Sequence, residues 1–135
     1  MIVEKTEQLP VRSSEDVVRV RQAVRTHATA LKFSLVDQTK IITAASEIAR
    51  NTIDYGLGGD VQVDEVVSGA RKGLRLVFKD NGPGIADINK ALEDGYTTGG
   101  GLGLGLSGAK RLSNEFDIQT APGKGTTITL IRWNK

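Results

Sequence analysis

Cysteine is absent from the 135 residues, and histidine occurs once, at His27. Without thiols the chain can form no disulfide, no thiolate nucleophile and no zinc–thiolate centre. A single histidine also excludes a two-histidine metal site. No charge sign dominates: 18 Lys and Arg against 16 Asp and Glu leave a formal +2, which gives little support for nucleic-acid binding. No apolar stretch approaches the roughly 20 residues that a bilayer span needs. The opening MIVEKTEQLP carries acidic residues and no long apolar run, unlike a signal peptide. These absences predict a soluble, cytoplasmic chain. Its size and its 39% hydrophobic and 25% charged residues suit a single domain over 1–135, with no repeat and no linker.

The patterning predicts alternating blocks of strands and helices. Residues 1–12 read as an edge strand that Pro10 ends or bends. Ser13, three residues before Asp16, resembles a capping box. Val17, Val20, Val24, Ala28 and Leu31 then recur at helical spacing, with His27 one position off the stripe and read as a surface or boundary residue. A second helix is expected over SLVDQTKIITAASEIARNTIDYG, with Ile41, Ala45, Ile48 and Thr52 inward and Gly56, Gly58 and Gly59 stopping it. Two alternating runs around SGARKG read as a hairpin. ADINKALED and SGAKRLSNEF look helical, and FDIQTAPGKGTTITLIRW supplies two more strands around PGKG. The order β-α-α-β-β-α-loop-α-β-β predicts an α+β fold, a mixed sheet with helices on one face.

TTGGGLGLGLSGAKRL, from Thr97 to Leu112, concentrates glycine where its entropic cost needs a reason. Gly103, Gly105 and Gly108 fit G-x-G-x-x-G, but no strand precedes them, so a Rossmann loop is disfavoured. A P-loop would need G-K-[ST], which is missing. A plain linker would be Gly/Ser-rich, whereas this stretch carries Leu102, Leu104 and Leu106. Converging backbone N–H groups that feed a helix N-terminus suit an anion instead. Two further stretches support that reading. Glu47 and Asn51 stand four apart on one helix face, a carboxylate and an amide able to hold magnesium and polarise a hydroxyl. Asp80 ends an apolar strand before Asn-Gly-Pro-Gly. Turn chemistry alone could explain it, yet an ionised Asp also accepts from donors such as the adenine amine.

Together these stretches resemble the GHKL ATP-binding family of histidine-kinase catalytic domains, gyrase, Hsp90, MutL and small anti-sigma kinases. ExxxN at Glu47–Asn51 looks like the N box. DxGxG at Asp80–Gly84 looks like the first glycine box, and GLGLGL at Gly101–Leu106 like the second. GKGTT from Gly123 places Thr126 where the family has a threonine near the adenine. The four boxes stand in the family's order, and the resemblance covers the whole chain. With neither dimerisation helices nor a transducer in this sequence, a small member is expected. Residues 85–100 alone separate Gly84 from Gly101, so the expected lid is short. The chain is most similar to the serine kinases that act as stressosome switches. Thr52 departs from the alanine of many N boxes, and Tyr55 replaces a histidine common in sigma-binding members.

The resemblance implies a two-layer α/β sandwich of the Bergerat type with ATP between sheet and helices. It implies that Asn51 binds magnesium and that Asp80, Gly82, Gly84 and Thr126 receive the adenine. Gly101, Gly103 and Gly105 would offer N–H groups to the phosphates, and Glu47 would serve as catalytic base toward a serine hydroxyl. The implied partners are STAS-domain substrates of the RsbS and RsbR kind and a PP2C-type phosphatase of the RsbU kind, with neither nucleic acid nor membrane. Two other readings are a sigma-sequestering kinase and a nucleotide-gated binding module without transfer activity.

Overall fold

The computed structural model describes residues 1–85 and 105–134. Its elements are β1 (Ile2–Val11), α1 (Ser14–Ala30), α2 (Leu35–Asp54), β2 (Gly59–Ser68), β3 (Arg71–Asp80), α3 (Gly105–Arg111), β4 (Glu115–Thr120) and β5 (Thr126–Asn134). The expected helix over residues 86–94 lies outside the described residues.

Both long helices begin at serine caps. The Ser13 hydroxyl accepts from the Asp16 N–H at 3.4 Å, and Asp16 Oδ2 in return accepts from the Arg12 N–H at 2.9 Å. The return bond reaches one residue further back than a capping box requires. Ser34 caps α2 by accepting from the Asp37 N–H at 3.1 Å. The stripes Val17, Val20, Val24, Ala28, Leu31 and Ile41, Ala45, Ile48, Thr52 are all buried. They pack against Val61, Val63, Leu74, Leu76, Phe78, Ile128 and Leu130 of the sheet, giving two layers around one core.

The strands run in the order β1-β2-β3-β5-β4, with every neighbouring pair antiparallel. The fold is α+β, as expected, but the sheet is not mixed. Two helices connect β1 to β2 and carry the chain out and back, so β2 starts at the end where β1 stops, with Val11 opposite Gly59. A single helix would have returned the chain at the other end and made the pair parallel. β3 and β4 do run the same way, but β5 stands between them.

Three local expectations change. Pro10 neither ends nor interrupts β1, which continues to Val11 with Pro10 opposite Asp60. An outer strand tolerates a missing N–H that a central strand would need. The helix expected over SGAKRLSNEF stops at Arg111, because Phe116 and Ile118 alternate inward as part of β4. His27 is buried, 7% exposed. Its Nδ1 lies 2.5 Å from Glu65 of β2 and its Nε2 2.8 Å from Glu7 of β1. The ring lies between the two carboxylates and so joins α1 to both strands.

The end of the sheet opposite Val11 is held by Arg132. It donates to Asp37 at 2.6 Å and to the Leu112 carbonyl at 2.9 Å, tying β5 to the start of α2 and the exit of α3. α3 therefore runs from the Val11 end of the sheet towards the Arg132 end. Among the described residues no helix is long and apolar enough to cross a membrane.

Two outcomes follow. His27→Ala removes the buried partner of Glu7 and Glu65, and urea unfolding should show a loss of about 2–3 kcal/mol. The hydrogen bond from Arg132 lowers the pKa of Asp37, and the Arg12 N–H lowers that of Asp16. A lowered folded value stabilises above the ordinary carboxylate range, and this stability disappears as pH falls through the lowered value. Thermal melts should therefore fall steeply below about pH 4, and less steeply in Asp37→Asn.

Candidate functional site

The sequence-derived residues gather at one end of the sheet. The antiparallel register places Val11, Gly59, Asp80 and Thr126 side by side there, as the last or first residues of β1, β2, β3 and β5. α2 ends at Asp54 beside the start of β2, so Asn51 arrives at the same place. α3 begins there with Gly105 and packs along α2.

Asp80 is the fixed point. Its Oδ1 accepts from the Gly82 N–H at 3.0 Å and from the Thr126 N–H at 3.2 Å. The first bond closes the turn that DNGPG predicts, and the second joins that turn to β5. No described residue donates to Oδ2. Turn formation thus occupies one carboxylate oxygen and leaves its twin as an acceptor.

The loop after β3 and the turn between β4 and β5 are fastened together. Gly123 N–H donates to the Pro83 carbonyl at 2.6 Å, and Ile85 N–H to the Thr120 hydroxyl at 2.9 Å. The Thr120 and Thr126 hydroxyls meet at 2.9 Å. Gly84 has φ +76°, and a Cβ there would lie 2.1 Å from the Ala121 carbonyl oxygen. Glycine is therefore required at 84 by contact with the neighbouring turn, a reason that no local pattern in DNGPG announces.

Glu47 and Asn51 share a face of α2. Glu47 makes only a loose pair with Arg50 at 3.4 Å, and its side chain is 21% exposed. The Asn51 carbonyl accepts from the Tyr55 and Gly56 N–H groups at 2.9 and 3.2 Å, closing the helix. Its side-chain amide has no hydrogen-bond partner among the described residues. Thr52 points into the core and bonds back to the Ile48 carbonyl at 2.9 Å, so the departure from alanine leaves the helix face of Glu47 and Asn51 unaltered. Gly101 and Gly103 lie outside the described residues. No group of three or more metal-ligating side chains occurs among those that are described. Sequence reasoning missed Thr120, whose role comes only from cross-strand register, and read Gly56 as no more than a helix stop.

Asp80 thus stands at the end of an antiparallel sheet, facing the end of the helix that carries Glu47 and Asn51. Residues 36–134 match the model of the histidine kinase-, DNA gyrase B- and HSP90-like ATPases, and the chain belongs to that family. It is 47% identical over 118 residues to the serine/threonine-protein kinase RsbT of Bacillus subtilis, covering 87% of this chain and 89% of that one. Family and relative together place it among the ATP-dependent serine/threonine-protein kinases. It is also 28% identical to an anti-sigma F factor of a Thermoanaerobacter species, over 84% of this chain and 82% of that one. The fold is similar to the RsbU and RsbW domains of a Mycobacterium tuberculosis protein, with a TM-score of 0.65 and 21% identity, over 97% of this chain and 33% of that one. It is likewise similar to the mycobacterial sensor histidine kinase MprB, with a TM-score of 0.56 and 19% identity, over 96% of this chain and 97% of that one.

Asp80→Asn keeps the size of the side chain and an acceptor for Gly82 and Thr126, but replaces the second acceptor with a donor. The fold should persist while ATP affinity falls roughly 10- to 150-fold, the equivalent of losing a charged hydrogen bond of about 1.5–3 kcal/mol. Calorimetry with ATP and GTP checks this, and equal affinity of the unaltered chain for both would remove the adenine assignment.

Proposed function

We propose that this chain is a single-domain, cytoplasmic kinase of a partner-switching module that transfers the γ-phosphate of ATP to a serine of a STAS-domain protein. The observation that carries this reading is the split use of Asp80: one oxygen anchored by two backbone donors, the other left to accept. Adenine would bind there, beside Gly82, Gly84 and Thr126. The motif that holds Gly101, Gly103 and Gly105 assigns those glycines to the phosphates. The Asn51 amide oxygen, a hard donor with no hydrogen-bond partner among the described residues, fits magnesium, which takes few protein ligands beside the phosphates. When bound, magnesium neutralises phosphate charge.

Glu47 lies one helical turn before Asn51 and so faces the γ-phosphate end. It accepts the serine proton as the new O–P bond forms and the bond to the departing ADP breaks. Such transfer depends mainly on positioning and charge stabilisation, and a base adds about 10²–10⁴-fold. The 47% identity to RsbT supports substrates of the RsbS and RsbR kind, and docking on a PP2C-type phosphatase of the RsbU kind after release. The anti-sigma F relatives support a second reading, a kinase that holds a sigma factor.

Glu47→Gln should reduce phosphorylation of a STAS serine by at least about 100-fold while ATP binding and partner docking change little. Asn51→Ala should abolish transfer without unfolding the chain. Labelled ATP and pull-downs with STAS, phosphatase and sigma partners are the measurements. Unchanged transfer by Glu47→Gln would remove it as the base. Tight sigma capture would favour the second reading, and STAS binding without transfer would leave a nucleotide-gated binding module.

A further inference from the structure

We infer that Gly56 is a positioning residue for base recognition: its bare Cα leaves the room in which the Asp80 carboxylate stands. The inference rests on the proposed role of Asp80 as the adenine acceptor. Gly56 is buried, two residues past the end of α2. It is not among the residues with positive φ, so its backbone does not itself demand glycine. Space does. A Cβ on Gly56 would lie 2.3 Å from Asp80 Oδ2, 2.4 Å from its Cγ and 2.7 Å from its Cβ. The three nearest atoms all belong to that one side chain.

Gly56 also joins the two halves of the proposed site. Its N–H donates to the Asn51 carbonyl at 3.2 Å, which holds it at the end of the helix that carries Glu47 and Asn51. From the other side Gly82 closes on it. A Cβ on Gly82 would meet the Gly56 Cα at 2.7 Å and its carbonyl carbon and oxygen at 2.8 Å. Gly82 is in turn a donor to Asp80 Oδ1. The helix end, the turn and the carboxylate therefore fit together only while positions 56 and 82 lack side chains.

The atoms that a methyl at 56 meets first are those of the Asp80 side chain. The Asp80 backbone is fixed in ladders with Gly59 and Thr126 and so fixes its Cβ, which means that the helix end at Gly56 shifts and the Asp80 carboxylate rotates away. Once displaced, it leaves the Gly82 and Thr126 N–H groups and carries Oδ2 away from its place.

Gly56→Ala, titrated calorimetrically with magnesium and either ATP or GTP, should lose at least about tenfold in ATP affinity while GTP affinity changes less than about twofold. Asp80→Gly removes all three crowding atoms, so urea unfolding supplies the second arm. Gly56→Ala should lower the midpoint of the unaltered chain and leave that of Asp80→Gly unchanged. An undiminished preference for ATP in Gly56→Ala overturns the inference. So does equal destabilisation of both backgrounds, which would make Gly56 a packing residue unrelated to Asp80. Failure of the underlying reading has another signature: the unaltered chain binds ATP and GTP alike, and the inference falls with it.

Discussion

The hydrogen bonds to Asp80 Oδ1 are the constraint on which the rest of the site depends. A carboxylate at the end of a strand is ordinarily solvated and mobile. Here two backbone donors from different segments, Gly82 and Thr126, hold one oxygen and so fix the other. A preset acceptor discriminates between bases because a partner that presents the wrong group leaves it unpaired. The turn, the Thr120–Thr126 pair and the Gly84–Ala121 contact all act to keep that carboxylate in place.

The antiparallel topology brings the ends together. Because α1 and α2 return the chain to the edge it left, the last turn of α2 reaches the same end of the sheet as the last residue of β3. Arg132 fixes the far ends through Asp37 and Leu112, and His27 locks α1 to the outer strands. These contacts tie down α1 and the start of α2, the helix that presents Glu47 and Asn51. Rigid presentation suits phosphoryl transfer, in which positioning contributes most of the rate.

Much of this was legible in the sequence. Helical stripes such as Val17, Val20, Val24 and Ile41, Ala45, Ile48 follow directly from periodicity. So does the hairpin around Gly69 and Ala70. Motifs in the sequence singled out Glu47, Asn51, Asp80 and Thr126, and the structure gathers Asn51, Asp80 and Thr126 at one end of the sheet. What escaped was non-local. The burial of His27 depends on Glu7 and Glu65, residues distant in sequence that only strand register brings to it. The need for glycine at Gly84 and Gly56 comes from Ala121 and Asp80, contacts that no local window contains. The mixed sheet expected from the order of elements failed because β5 enters between β3 and β4, a tertiary pairing that element order does not reveal.

The most direct measurement is an amide chemical-shift map of the uniformly labelled chain as ATP with magnesium is added. The largest movements should fall on Gly56, Gly82 and Thr126, where the carboxylate is held, and on Asn51 at the end of α2. Amides near Asp37 and Arg132 at the opposite end of the sheet should stay in place. Nucleotide-induced shifts concentrated at that opposite end, with Gly82 and Thr126 unmoved, would contradict a base-binding site built around Asp80.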